Sequence, residues 1–255
     1  MTVYGRVDSV VIERVLPNGG EAAGIYAQAF RLLDAANMFP FLFAGLLLPI
    51  FSKMIKEGAS LSSFVGFSAI LLMVPVISLA VPTFVFRNHV MDLLYREHTM
   101  ISSEVLGVLM GSFVSIALGY IFSTLLTAQG NLKNLNIVSA IAVIISVSAQ
   151  FVFVNKFGVV GAAYGNLITN GLVALLTLWL AFRQFRFVVE STYVAKVILF
   201  LMLSFIVSYA AFYINGKSTL GYLLTIFIVF ISAFFLGVIN VKELISFFKN
   251  DNSLG

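Results

Sequence analysis

Apolar and polar positions divide the chain into long hydrophobic runs separated by short polar turns. A helix that crosses a membrane needs about 20 mostly apolar residues. The pattern predicts an all-α, polytopic transmembrane helical bundle with about seven complete spans. These spans are Glu21–Ile55, Leu61–Phe86, Val105–Ala128, Leu135–Val154, Val159–Phe182, Tyr193–Ile214 and Leu220–Val241.

A shorter apolar segment, Val3–Leu16, precedes these spans and ends at the turn Pro17–Gly20. With a rise of about 1.5 Å per residue, the 16 residues from Met1 to Leu16 would reach about 24 Å as a helix. The hydrocarbon core of a bilayer is about 30 Å thick. We therefore expect a truncated leading helix, whose start lies before Met1.

Composition supports a membrane protein and argues against several other classes. Hydrophobic residues make up 60% of the chain, charged residues 10%, and the mean hydropathy is +1.05, whereas soluble domains carry about 25% charged residues. Lys and Arg are scattered singly, without the clustered basic stripe of a nucleic-acid-binding surface. The chain has no Cys, which excludes Cys-ligated metals and haem. We predict no cofactor and no nucleic-acid partner.

Catalytic and metal-binding patterns are also lacking. His89 and His98 lie nine residues apart, which places them on opposite faces if the stretch is helical. The sequence carries no nucleophile motif, phosphate-binding Gly loop or zinc-protease motif. We expect no metal site, no catalytic residues and no enzymatic activity.

The distribution of Lys and Arg between alternate ends of the spans predicts the orientation. Basic residues are enriched in the cytoplasmic loops of membrane proteins. One side carries Lys53, Lys56, Lys133, Arg183, Arg186, Lys196, Lys242 and Lys249, and the other Arg14, Arg87, Arg96, Lys156 and Lys217. The first side is expected to be cytoplasmic, with the carboxyl-terminal tail, and the polar stretch Arg87–Glu104 is expected to face outward.

Four charged residues lie at membrane depth in the first two segments: Arg6, Asp8, Arg31 and Asp34. Ionisable groups in membrane spans are costly and usually functional. A hairpin folded about Gly19–Gly20 would bring Asp8 level with Arg31, and Arg6 level with Asp34, because both arms rise equally per residue.

Two interpretations of these charges remain open. They could form a buried ion-pair clamp, whose disruption would cost about 3–5 kcal/mol. Alternatively, Arg6 and Arg31 line a wet cavity and bind an anionic headgroup, since guanidinium matches phosphate geometry, while the acids serve as a proton- or cation-sensitive switch. All four are candidate substrate-binding residues.

Small residues in the Val159–Phe182 span predict close helix packing. Gly161, Gly165 and Thr169 recur at four-residue spacing, which lets membrane helices approach closely. Asn166 and Asn170 share one face of this span and are expected to form hydrogen bonds between helices.

Several motifs resemble those of polysaccharide-exporting flippases. Gly24–Asp34, continued by Leu46–Ser52, is similar to their GxYxxAxRL…LxxxLxPxxS helix. Leu126–Lys133 and Asn155–Gly165 resemble their AxGxxK turn and FGxxGAAxG helix entry, and Tyr4–Asp8 resembles the start of their second lobe. Order and spacing agree across most of the chain.

These flippases belong to the multidrug/oligosaccharidyl-lipid/polysaccharide exporter superfamily, which has two six-helix lobes around a central cavity. The resemblance implies a second lobe at residues 1–183, two additional helices at 184–241 and a cytoplasmic tail at 242–255. It also implies flipping of undecaprenyl-diphosphate-linked oligosaccharide across the bacterial inner membrane for surface polysaccharide biosynthesis. Membrane lipids and a missing first lobe are the implied partners.

Two other functions are considered. A cation-coupled multidrug exporter of the same superfamily would be expected to have a net acidic cavity, whereas here two Arg lie near two acids. A membrane-embedded glycan ligase or polymerase would need a large outer loop with positioned catalytic groups, and only Arg87–Glu104 approaches that.

Overall fold

The structure is a computed structural model that describes residues 7–185, 191–216 and 218–238. This part of the chain is helical and contains no strand, which confirms the predicted all-α class. The helices are α1 (Val7–Val15), α2 (Gly19–Glu57), α3 (Ser62–Val85), α4 (Arg87–Leu94), α5 (Thr99–Ala128), α6 (Leu132–Phe185), α7 (Ser191–Asn215) and α8 (Thr219–Phe235).

Within the described ranges, five helices are long and apolar enough to cross a membrane: α2, α3, α5, α6 and α7. They indicate a multi-pass membrane protein. The apolar helix α8 is shorter than these, and the expected number of about seven spans stays a prediction. Arg6 and the tail 242–255 lie outside the described residues.

Helix α6 is folded into an antiparallel hairpin. Gly158 interrupts it with a left-handed φ of 59°, a conformation that favours glycine. Asn131, just before the first half (residues 132–157), donates a hydrogen bond to Gln184 near the end of the second half (residues 159–185). The two predicted segments Leu135–Val154 and Val159–Phe182 therefore lie side by side.

The hairpin packs closely because Gly161 lacks a side chain. A Cβ atom at this position would lie 2.0 Å from the carbonyl oxygen of Phe153. The predicted close helix contact at Gly161 is therefore confirmed, and backbone meets backbone there.

Helix α5 lies at the centre of the bundle and contacts α2, α3, α4 and α6. Its buried residues occupy several faces and include adjacent positions, as expected for a helix packed on several sides. They include Leu106, Leu109, Phe113, Ala117, Ile121 and Leu125.

Helices α7 and α8 pack against each other and against α3. Aromatic contacts join Phe84 to Phe205 and Phe86 to Phe212, and the hydroxyls of Thr83 and Tyr222 share a hydrogen bond of 2.8 Å. The proposed division into a lobe and two added helices stays a prediction.

Helices α2 and α5 are parallel. Glu21 lies 3.2 Å from His98 at one end, and the rings of Phe41 and Tyr120 are in contact further along, with centroids 6.2 Å apart. In both contacts the two residues are separated by nearly the same number of positions, so the two helices run in the same direction. Between these two contacts, Gln28 contacts the loop before α5: its Nε2 donates to the Glu97 carbonyl oxygen, and the Tyr95 hydroxyl donates to the Gln28 carbonyl oxygen, each at 3.4 Å.

The polar stretch Arg87–Glu104 forms α4, a short loop and the first turn of α5. His89 contacts the Thr219 hydroxyl at 3.0 Å, whereas His98 contacts Glu21. The two histidines thus have different partners, and the described residues contain no cluster of three or more His, Cys, Asp or Glu side chains that could hold a metal ion.

Orientation can be tested by thiol labelling, because the chain has no Cys. Ser60 and Glu97 are both exposed. Ser60 lies just before α3, and Glu97 lies just after α4, which follows α3. We expect Glu97→Cys to react with a membrane-impermeant reagent in intact cells and Ser60→Cys to react only after lysis, since the basic end should be cytoplasmic. Labelling of Ser60→Cys alone in intact cells would show the opposite orientation.

The hairpin contact gives a stability prediction. Gly161→Ala should lower the unfolding temperature of the purified protein, because two backbone segments would have to separate. Overpacking of this kind typically costs about 1–3 kcal/mol. Gly45→Ala is the matched control, since a Cβ at Gly45 meets nothing within 4 Å. Equal unfolding temperatures for the two variants would contradict the close contact.

Candidate functional site

The carboxylate of Asp8 is the centre of a buried polar network. Asp8 is 1% exposed and accepts three side-chain hydrogen bonds. Tyr26 donates to Oδ2 at 2.6 Å, Asn166 donates to Oδ2 at 2.8 Å, and Gln150 donates to Oδ1 at 2.6 Å. We call these four residues the Asp8 network. It joins α1, α2 and both halves of the α6 hairpin.

Gln150 is positioned by the opposite half of the hairpin. Its Nε2 also donates to the carbonyl oxygen of Ala162 at 3.1 Å. Gly165 provides the space, because a Cβ there would lie 2.9 Å from the Gln150 amide. The Oε1 atom of Gln150 is buried and has no hydrogen-bond partner among the described residues.

Asn166 is oriented by its neighbour one turn later. The Nδ2 of Asn170 donates to both the side-chain and the backbone oxygen of Asn166, each at 2.9 Å. This leaves the Nδ2 of Asn166 directed at Asp8. The predicted interhelical hydrogen bond is confirmed for Asn166, whereas the bonds described for Asn170 stay within its own helix.

The charge of Asp8 is solvated by neutral donors. Hydrogen bonds from a phenol and two amides offset part of the cost of burying a carboxylate. Such a group can take up a proton. The carboxylate, the free Oε1 of Gln150 and the carbonyl of Ala162 are also oxygen ligands of the kind that hard cations bind.

The predicted level of Asp8 is wrong by more than one turn of helix. The hairpin reverses at Leu16–Asn18, because α2 already begins at Gly19. Asp8 is therefore level with Tyr26, and Arg31 lies five residues further along α2, or about 7.5 Å. Asp8 and Arg31 form no ion pair. The clamp interpretation of this pair is not supported by the structure.

Arg31 and Asp34 lie on the exposed face of α2. Arg31 lies about one turn beyond Gln28, whose Nε2 donates to the carbonyl oxygen of Glu97 in the loop before α5, and Asp34 lies about one turn further along α2. Arg31 has no hydrogen bond or ion pair with any residue that the structure describes. The second predicted pair joined Asp34 to Arg6, which lies outside the described residues.

Sequence reasoning did not identify Tyr26 and Gln150 as partners of Asp8. Each left a signal: Gln150 is a lone amide near the end of an apolar run, and Tyr26 lies four residues from Ala22 on the buried face of α2. Neither signal identifies Asp8 as the partner, because Tyr26 and Gln150 are 18 and 142 positions away from it in sequence.

Comparison of the sequence with protein-family models and with curated proteins finds no match. The resemblance to flippases therefore stays a prediction.

Exchange of the two charges tests the network directly. The double variant Asp8→Arg/Arg31→Asp should lower membrane abundance and the unfolding temperature, because an arginine at position 8 would face three hydrogen-bond donors. The control Arg31→Gln should change neither, since Arg31 has no described partner. Wild-type stability of the exchanged protein would instead support the clamp.

Proposed function

We propose that this chain is a lobe of a transporter that flips undecaprenyl-diphosphate-linked oligosaccharide across the bacterial cytoplasmic membrane. The observation that supports this proposal most is the exposed position of Arg31 in α2, a helix long and apolar enough to cross a membrane. A guanidinium in lipid is costly, so this face of α2 requires water, substrate or a polar partner. In the proposed transporter it faces a central cavity.

The chemistry of Arg31 favours an anionic substrate. Guanidinium donates parallel hydrogen bonds to phosphate oxygens, which an ammonium group cannot do with the same geometry. Asp34 lies one turn away on the same exposed face, where its carboxylate would limit the net positive charge of the cavity. The diphosphate of a lipid carrier is the substrate group that we assign to Arg31, and the first lobe would supply the opposite wall.

Asp8 has a different role in this proposal. It is buried and does not reach the exposed face of α2, so we assign it to coupling. Gain or loss of a proton or cation at Asp8 would change its hydrogen bonds to α2 and α6, and α2 also carries Arg31. This provides a physical link between an ion and the substrate.

The uncompensated charge of Asp8 favours one alternative, a cation-coupled multidrug exporter of the same superfamily. The two functions differ at Arg31. A cationic drug gains nothing from a guanidinium in the cavity, whereas a diphosphate loses a charge-assisted hydrogen bond when Arg31 is removed. A membrane-embedded glycan ligase or polymerase would join glycans without moving a substrate across the membrane.

Export measurements with the full protein distinguish these functions. Arg31→Gln should lower export of lipid-linked oligosaccharide by about tenfold or more at normal membrane abundance, as expected for loss of a charge-assisted hydrogen bond. Arg31→Lys should retain part of the export, because it keeps the charge and loses the bidentate geometry. Lys56→Gln is the control, since Lys56 is exposed at the end of α2.

Wild-type export by Arg31→Gln would contradict the role of Arg31. Efflux of cationic drugs that rises in Arg31→Gln would favour the multidrug exporter.

A further inference from the structure

The second half of α6 presents a continuous apolar stripe to the surroundings of the protein. Tyr164, Ile168, Leu175 and Trp179 follow one another at helical spacing, and each is between 39% and 62% exposed. The opposite face of the same helix is buried. In a membrane protein such a stripe is covered by lipid chains.

Aromatic residues mark both ends of this stripe. Near the hairpin turn, the ring of Tyr164 contacts those of Phe153 and Phe157, with centroids 6.5 and 5.9 Å apart. At the other end is Trp179, the only Trp of the chain. The distance between Tyr164 and Trp179 along the helix is about 23 Å. Tyr and Trp are enriched at the two membrane interfaces, so Trp179 marks one interface.

Arg183 lies one turn beyond Trp179, at the level of the headgroups. Its guanidinium carbon is 5.4 Å from the centroid of the Trp179 ring, within the range of a cation–π contact. Arg183 is exposed, and no acidic side chain of the described residues is within ion-pair distance of it. Its charge is thus held beside the indole and has no acidic partner within residues 7–185, 191–216 and 218–238.

The same end of the bundle is basic. The hydrogen bond between Asn131 and Gln184 joins the two ends of α6 next to Arg183, and Lys133 lies in the first turn of α6. Among the described residues at this end, the bases outnumber the acids: Lys53, Lys56, Lys133, Arg183 and Lys196 are accompanied by Glu57.

We propose that Arg183 and Trp179 form a binding site for a phospholipid with an anionic headgroup. The guanidinium donates hydrogen bonds to the phosphate oxygens, the indole packs against the glycerol region, and the acyl chains lie along the apolar stripe. Charge complementarity and the adjoining lipid-exposed stripe favour a phospholipid over a soluble anion. This site is separate from Arg31 and the Asp8 network, and it does not depend on the proposed flippase function.

The single Trp makes the site directly measurable. The full chain is reconstituted in bilayers of phosphatidylcholine in which part of the lipid is replaced by brominated phosphatidylglycerol or by brominated phosphatidylcholine. Bromine quenches the fluorescence of Trp179 on contact. We expect phosphatidylglycerol to be preferred by about fivefold, the effect of one basic residue near an anionic lipid surface.

Three variants test the assignment. Arg183→Gln should abolish the preference for brominated phosphatidylglycerol, while quenching by brominated phosphatidylcholine stays unchanged and shows that Trp179 still faces lipid. Lys156→Gln, at the turn of the α6 hairpin and so far from Arg183, should keep the full preference. Lys56→Gln, at the same end as Arg183, should also keep most of it.

Equal quenching of the wild-type protein by the two brominated lipids would overturn the proposal. So would a preference that persists in Arg183→Gln. An equal loss in Lys56→Gln and Arg183→Gln would show diffuse attraction to a basic surface and no site at Trp179.

Discussion

A carboxylate in an apolar interior must be hydrogen-bonded, and the packing of α1, α2 and α6 depends on meeting this requirement at Asp8. Its three donors come from three separate segments of the chain. If any of these segments were displaced, a buried polar group would lose its partner, at a cost of about 1–3 kcal/mol. The network therefore fixes the positions of these helices relative to one another more specifically than apolar contacts could.

Glycines make this arrangement possible. Gly165 leaves space for the Gln150 amide, Gly161 lets the two halves of the hairpin touch, and Gly158 provides the left-handed turn between them. In a membrane, where lipid is as apolar as a leucine side chain, close backbone approach and hydrogen bonds contribute most to helix association. The α6 hairpin uses both.

Helix α2 connects the buried and the exposed charges. Tyr26 contacts Asp8, and Arg31 lies five residues further along, about 140° around the helix axis. A rigid helix transmits a displacement at one of these positions to the other. Under the proposed function, this is how the state of Asp8 would affect the surface that meets the substrate, and it explains why Asp8 and Arg31 are not paired.

The sequence by itself determined the helical class, the membrane environment and the position of the reversal at Gly158, because hydrophobic run length and turn residues are local properties. It also indicated close packing at Gly161. Only the tertiary structure decided the partners of Asp8. The level of Asp8 relative to α2 depends on whether the chain turns at Leu16 or at Gly20. A shift of a few residues in the turn changes the α2 residue opposite Asp8 from Arg31 to Tyr26. Gln150 and Asn166 meet Asp8 only because the α6 hairpin packs against α1, a contact between distant segments that no local pattern records.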